Sequence, residues 1–343
     1  MDDNIPFIFM EILLAVCIVS CNLLVCVTVY LHKELRSVTN YLIVSLAAAD
    51  VGVGALAIPF SIILSMEYTL CFYTCIFITC FPLVTTQFSI LLLLLIAINA
   101  QLKIRLPSSY SVYVTNRRLV VAVFLCFSLS CLIGFSPMMG WNQFQQYIGR
   151  NKSLSAYDRF MWGYPLPRTA RDLSSAYFSH KVSINSSKIQ RQHLGCCSLT
   201  AVFSPDYLVY FVFFGCTLLP LAIMLGIYAD LFRVVRSHLR SAKKREMHMA
   251  CTLFLLMAIF CLCWMPLNAI NSLRLLCRSC TVHVPLIRLA VLLSHMNSFA
   301  NPLVYAMRKK DFGAALRSVF LSSFLCWTSQ KICCRKQKIH PQA

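Results

Sequence analysis

The sequence predicts an all-α membrane protein, a seven-transmembrane helix bundle followed by a short amphipathic cytoplasmic helix. Three observations carry this expectation. Of 343 residues, 59% are hydrophobic and 13% charged, with a mean hydropathy of +0.70. Soluble domains carry about a quarter charged residues, so most of the chain is too apolar to be one. The apolar residues gather into seven runs, at about 7–31, 41–65, 73–98, 119–140, 207–232, 249–273 and 285–307. Twenty of the 31 Lys and Arg follow the first, third, fifth and seventh runs.

Each run reaches the roughly 20 residues that a helix needs to cross about 30 Å of hydrocarbon. A barrel strand needs only about ten, so helices are expected. Asp2 and Asp3, and no basic residue, precede the first run, which reads as its own anchor and not as a cleaved leader. Lys33 and Arg36 follow the first run, and Lys103, Arg105, Arg117 and Arg118 the third. Six basic residues between Arg233 and Arg245 follow the fifth, and eight from Arg308 onward follow the seventh. Basic loops stay cytoplasmic, so the N-terminus is expected outside and the C-terminus inside. The formal charge of +19 then belongs to loops beside anionic lipid, and no nucleic-acid partner is expected. Residues 1–320 read as one membrane domain and 321–343 as a basic tail. The one long break between runs, about 141–205, is the second outer loop.

Polar residues inside the runs mark function, because each is costly in lipid. They are Glu11, Asn22, Asp50, Asn271, His295, Asn297 and Asn301. The amides also serve to hold helices together. Pro59, Pro82, Pro137, Pro220, Pro266 and Pro302 each remove one helix hydrogen bond and set a kink. Of 19 cysteines, most lie in the runs and act as small apolar residues. Cys71, Cys75, Cys196, Cys197, Cys277 and Cys280 fall on the oxidising face, where pairing is open to them. Cys326, Cys333 and Cys334 are open to palmitoylation or remain thiols. Asn151-Lys-Ser and Asn185-Ser-Ser are glycosylation acceptors on the outer side.

Taken in order, these motifs resemble a class A, rhodopsin-like G-protein-coupled receptor. Asn22, Asp50, Cys261–Pro266, Pro220 with Tyr228, and Asn301-Pro302-Leu-Val-Tyr305 match successive span signatures. Asp311–Phe320 fits the amphipathic helix after the seventh span. Within that class the chain resembles the adenosine receptors, nearest the third subtype. The stretches that carry this are SLAAADVGVGALAIP, Pro137–Asn142, Asp206–Phe211 and Leu293–Asn297. Pro82 stands where amine receptors have aspartate, and His295 where opsins have lysine.

The resemblance implies a purine nucleoside ligand, adenosine or a close relative. Asn271 would pair with the adenine edge through two hydrogen bonds. Thr86, Ser294 and His295 would meet the ribose, with Glu11 orienting His295. Trp264, Leu267, Leu83, Leu208, Val291, Leu199 and Asn268 would wall the pocket. Asp50, Ser89, Trp264, Asn297 and Asn301 match a site for an allosteric sodium ion, whose hard charge suits oxygen donors. No other cofactor or metal is implied. Trp264, Pro266, Asn301, Pro302, Tyr305 and Tyr228 would relay activation to a heterotrimeric G protein, by resemblance of the inhibitory class. Cys75 and Cys197 match a disulfide from span three to the second outer loop, with adjacent Cys196 leaving the partner open. Cys277 and Cys280 would form a local bridge.

The chain departs from the family at four places. Asn99-Ala100-Gln101 stands where the family has Asp-Arg-Tyr, so Ala100 cannot pair with Glu246 of span six. Leu199 replaces the phenylalanine that stacks on adenine. Phe127 replaces a fourth-span tryptophan. Residues from about 143 to 195 form a long basic loop with little family resemblance. Two alternatives follow: a nucleoside-binding decoy that does not couple, and a seven-span transporter. No repeat supports the transporter, and no catalytic set of His, Cys and Asp or phosphate loop points to an enzyme.

Overall fold

The computed structural model describes residues 5–66, 68–144, 194–204, 206–237, 243–277, 282–308 and 312–321. Span one is Ile5–Leu31, span two Val38–Ser65, span three Phe72–Arg105 and span four Asn116–Met139. Span five begins at Tyr207 and runs to Ser237, span six is Lys243–Leu276 and span seven Val284–Arg308. A tail helix, Phe312–Leu321, follows. Spans three and six run past the expected ends, because basic residues such as Lys103 and Lys243 continue a helix readily once it has left the apolar run.

Six of these helices are long and apolar enough to cross a membrane. Span seven has 25 residues but is more polar. Its Ser294, His295, Asn297, Ser298 and Asn301 are all buried, so the polarity faces neighbouring helices and not the surround.

Local rules set the helix ends. The Ser37 hydroxyl accepts from the Asn40 amide at 3.3 Å, and Thr115 caps span four in the same way at 3.4 Å. Wide π turns occupy Val53–Ala57, just before Pro59, and Tyr207–Leu218, just before Pro220. Both prolines lack an N–H, and a widened turn is one way for a helix to absorb that loss. Gly134 lets span four approach span three closely. A Cβ there would lie 2.9 Å from the Val84 amide nitrogen.

Span three is central, packing against spans two, four, five and six, while span seven packs against one, two and six. At the end of the bundle that carries the tail helix, a continuous apolar core joins Val29, Leu46, Ile96, Ala100, Tyr228, Met257, Tyr305 and Phe312. Phe312, Ala315 and Val319 form the buried stripe of the tail helix, with helical spacing. At the opposite end, a second core joins Phe72, Ile76, Val202, Phe203, Tyr207 and Leu208. There β1 (Thr69–Cys71) pairs antiparallel with β2 (Leu194–Cys196).

Candidate functional site

Between the two cores lies a small cavity lined by Thr86 and Ser89 of span three, Trp264 of span six, and Ser294, His295, Asn297 and Ser298 of span seven. Val53, Ala57, Pro82 and Thr85 complete it. Its volume is about 20 Å³ for a water-sized sphere, room for one or two small species. Four residues expected to meet a ligand and three expected near a cation therefore share one space.

The wall of that space is built on Glu11. Its carboxylate is fully buried and meets His295 Nδ1 at 2.9 and 3.1 Å. This contact joins span one to span seven and leaves His295 Nε2 as the ring nitrogen for a ligand. The Thr86 hydroxyl donates to the Pro82 carbonyl at 2.6 Å, and Ser294 donates to Val291 at 2.7 Å. Both hydroxyl protons are thus committed, and both oxygens remain acceptors for sugar hydroxyls. One and two turns above Trp264 lie Asn268 and Asn271. Asn268 donates back to the Trp264 carbonyl at 3.0 Å. Asn271 is half-buried and, with Leu267, Val291 and Leu83, lies outside the cavity lining.

Deeper, Asn301 Nδ2 donates to Asp50 Oδ2 at 2.8 Å. Asp50 Oδ1, Ser89 Oγ and Asn297 Oδ1 are buried and without a partner among the described residues. A carboxylate, a hydroxyl and an amide oxygen are the donor set that a hard monovalent cation takes. Trp264 offers only its N–H, so it can wall such an ion but not ligate it. Asn22 is separate from this cluster. It donates to the Ile18 and Ser298 carbonyls at 3.0 and 3.1 Å, tying span one to span seven.

The segment that leads into span five is fixed by strand pairing. Thr69 pairs with Cys196, and the Cys197 amide donates to the Tyr68 carbonyl at 2.9 Å. That register carries Cys197 over the start of span three, where it bonds to Cys75, and leaves Cys196 exposed. Leu199 follows in a short helix, Leu199–Val202, and packs against the second core. Cys277 is also disulfide-bonded. Its expected partner Cys280, and the acceptors Asn151 and Asn185, lie outside the described residues.

At the tail end, Ala100 is 2% exposed and belongs to the apolar core. Asn99 donates to Thr39 of span two at 3.3 Å and accepts from the Tyr110 hydroxyl at 2.8 Å. Burial pushes the Tyr110 phenol above its ordinary value. Gln101 donates to Asp230 of span five at 3.0 Å, and Arg105 pairs with the same carboxylate. Sequence reasoning missed Asp230. The available signal was a lone acid in the last turns of an apolar span. Tyr305 is buried edge-on to Phe312 at 6.2 Å, and Tyr228 is buried in the same core. The side chain of Glu246 is outside the described residues. Phe127 is half-exposed and edge-on to Phe88, so the smaller ring still packs on span three.

The family model described as 7 transmembrane receptor (rhodopsin family) matches residues 21–157 and 174–305. Adenosine receptor A2a of Homo sapiens is 36% identical over 334 residues, covering 93% of this chain and 73% of the relative. Adenosine receptor A2b of Gallus gallus is 35% identical, covering 94% and 90%. Adenosine receptor A3 of Canis lupus familiaris is 34% identical, covering 96% and 95%. Identities this close do not single out the third subtype. A bundle of apolar helices, polar residues turned inward around one cavity, and these matches across both halves of the chain agree: the chain belongs to the adenosine receptor family of rhodopsin-like seven-transmembrane receptors.

Proposed function

We propose that the chain is a plasma-membrane receptor for adenosine or a related purine nucleoside. Its N-terminus and its long second outer loop would face outward, and its basic loops and tail the cytoplasm. The observation that carries this reading is the buried Glu11–His295 pair on the cavity wall beside Thr86 and Ser294. A fixed imidazole nitrogen and two hydroxyl oxygens suit the hydroxyls of a ribose. Asn271, two turns above Trp264, would pair with the purine edge. Asp50, Ser89 and Asn297 would hold a sodium ion, whose positive charge would offset the buried carboxylate. Ligand pressing on Trp264 would favour the state in which span six moves away from span three. The cytoplasmic groove thus opened would take a heterotrimeric G protein, of the inhibitory class by family likeness. This is a shift between two bundle states and involves no chemistry.

The test is adenosine competition for a labelled adenosine-receptor ligand on expressing cells, in the native form and in Asn271→Ala. Displacement is expected, with affinity about ten- to a hundredfold weaker in Asn271→Ala. No specific binding despite surface expression would overturn the nucleoside reading. Binding with no nucleotide exchange on any G protein would leave a nucleoside-binding decoy.

A further inference from the structure

We infer that Asp230 is a resting-state latch, which holds span five to span three through Arg105 and Gln101. The inference rests on the receptor reading above. Arg105 grips both carboxylate oxygens of Asp230, its Nε at 3.0 Å from Oδ2 and its Nη2 on Oδ1. Gln101 adds a third hydrogen bond to Oδ2 at 3.0 Å. A planar guanidinium on a carboxylate fixes direction as well as distance. The contact therefore resists the two helices sliding or splaying apart.

Position gives the latch its role. Ala100, one residue before Gln101, offers no charged group to span six. It lies instead in the apolar core that also contains Tyr228 of span five and Met257 of span six. A groove at the tail end would have to part that core. Span six packs on span five, and both pack on span three. Opening a groove there requires the tail ends of spans five and six to leave span three, and the Asp230 contact crosses that boundary. Asn99 meanwhile ties span three to Thr39 and Tyr110, so the fixed side of the latch is anchored.

Exposure sets the size of the effect. The side chains of Arg105 and Asp230 are 49% and 28% exposed. Such a pair adds little to folding, but it sits where small energies decide between two states. Loss of the pair is expected to raise the open population about twofold to fivefold.

The experiment uses the full chain in lipid nanodiscs. Spin labels on unnatural amino acids at positions 117 and 247 report the separation of spans four and six at the tail end. Asp230→Asn and Arg105→Gln are expected to enlarge the long-distance population by that factor. Gln101→Ala should act in the same direction and more weakly. The charge swap, Arg105→Asp with Asp230→Arg, should return the distribution to that of the native chain. Unchanged distances in both single variants overturn the latch, as does a charge swap that behaves like its parts. This readout needs neither ligand nor G protein. Shifted distances with no nucleotide exchange in any form, the native chain included, support the latch and overturn the coupling part of the proposed function.

Discussion

Leu199 is half-buried against the second core, an apolar side chain without a ring to lay on a base. Stacking an aromatic on a nucleobase is worth about 1–3 kcal/mol elsewhere. Leu199 already supplies part of that as apolar contact. Leu199→Phe is therefore expected to tighten nucleoside binding about threefold to tenfold in competition assays, and no change would place the base elsewhere. Asp50 sits below, fully buried, with one oxygen satisfied by Asn301 and the other unpartnered among the described residues. Replacing it by Asn removes the charge a cation needs and keeps the shape. Asp50→Asn should abolish any weakening of agonist affinity by sodium, read as superimposed binding curves with and without the salt.

At the scale of a single helix, span three determines what the tail end can do. Its last two turns present Asn99, Gln101 and Arg105 to spans two and five, and bury Ala100. The sequence alone showed a missing arginine and therefore a missing span three–six contact. In the structure the same helix end is already engaged, so loss of that one contact does not leave it loose. Ala100→Arg tests both statements. An arginine in this packed site should cost about 1–3 kcal/mol, seen as a lower melting temperature of the purified receptor. Agonist-stimulated nucleotide exchange should rise if the guanidinium reaches the G protein or Glu246. An unchanged response would mean that coupling does not depend on position 100.

Over the whole molecule, a covalent link from Cys75 to Cys197 joins the segment before span five to the start of span three across 122 residues of sequence. Closing so long a loop in the unfolded chain is worth roughly 2–5 kcal/mol. Cys75→Ala should sharply lower surface expression and remove ligand binding, because Leu199 loses its anchor two residues away. Topology has its own test. Asn151 and Asn185 belong to the loop proposed to face outward, so glycosidase treatment should shift the mobility of the native chain, and the double Asn→Gln variant should not shift. Absence of any shift in the native chain would count against use of either site.

Seven apolar runs, one-sided basic loops and mid-run prolines were legible in the sequence, because lipid demands long apolar helices and leaves few alternatives. Span seven was legible as an apolar run although buried polar residues interrupt it, and its motif then added the family likeness. The Glu11–His295 and Asp50–Asn301 contacts were legible only through family likeness. Their partners are 284 and 251 residues apart, a distance no local pattern crosses. The choice of Cys197 over Cys196 needed the β1–β2 register, because neighbouring residues on an extended chain point to opposite sides. Asp230 was invisible for the same reason as the carboxylate contacts. By itself it is an acid near a helix end, and only the packing of span five on span three gives it Arg105 and Gln101. Composition and periodicity determined what spans the membrane, and tertiary packing decided which polar groups meet inside it.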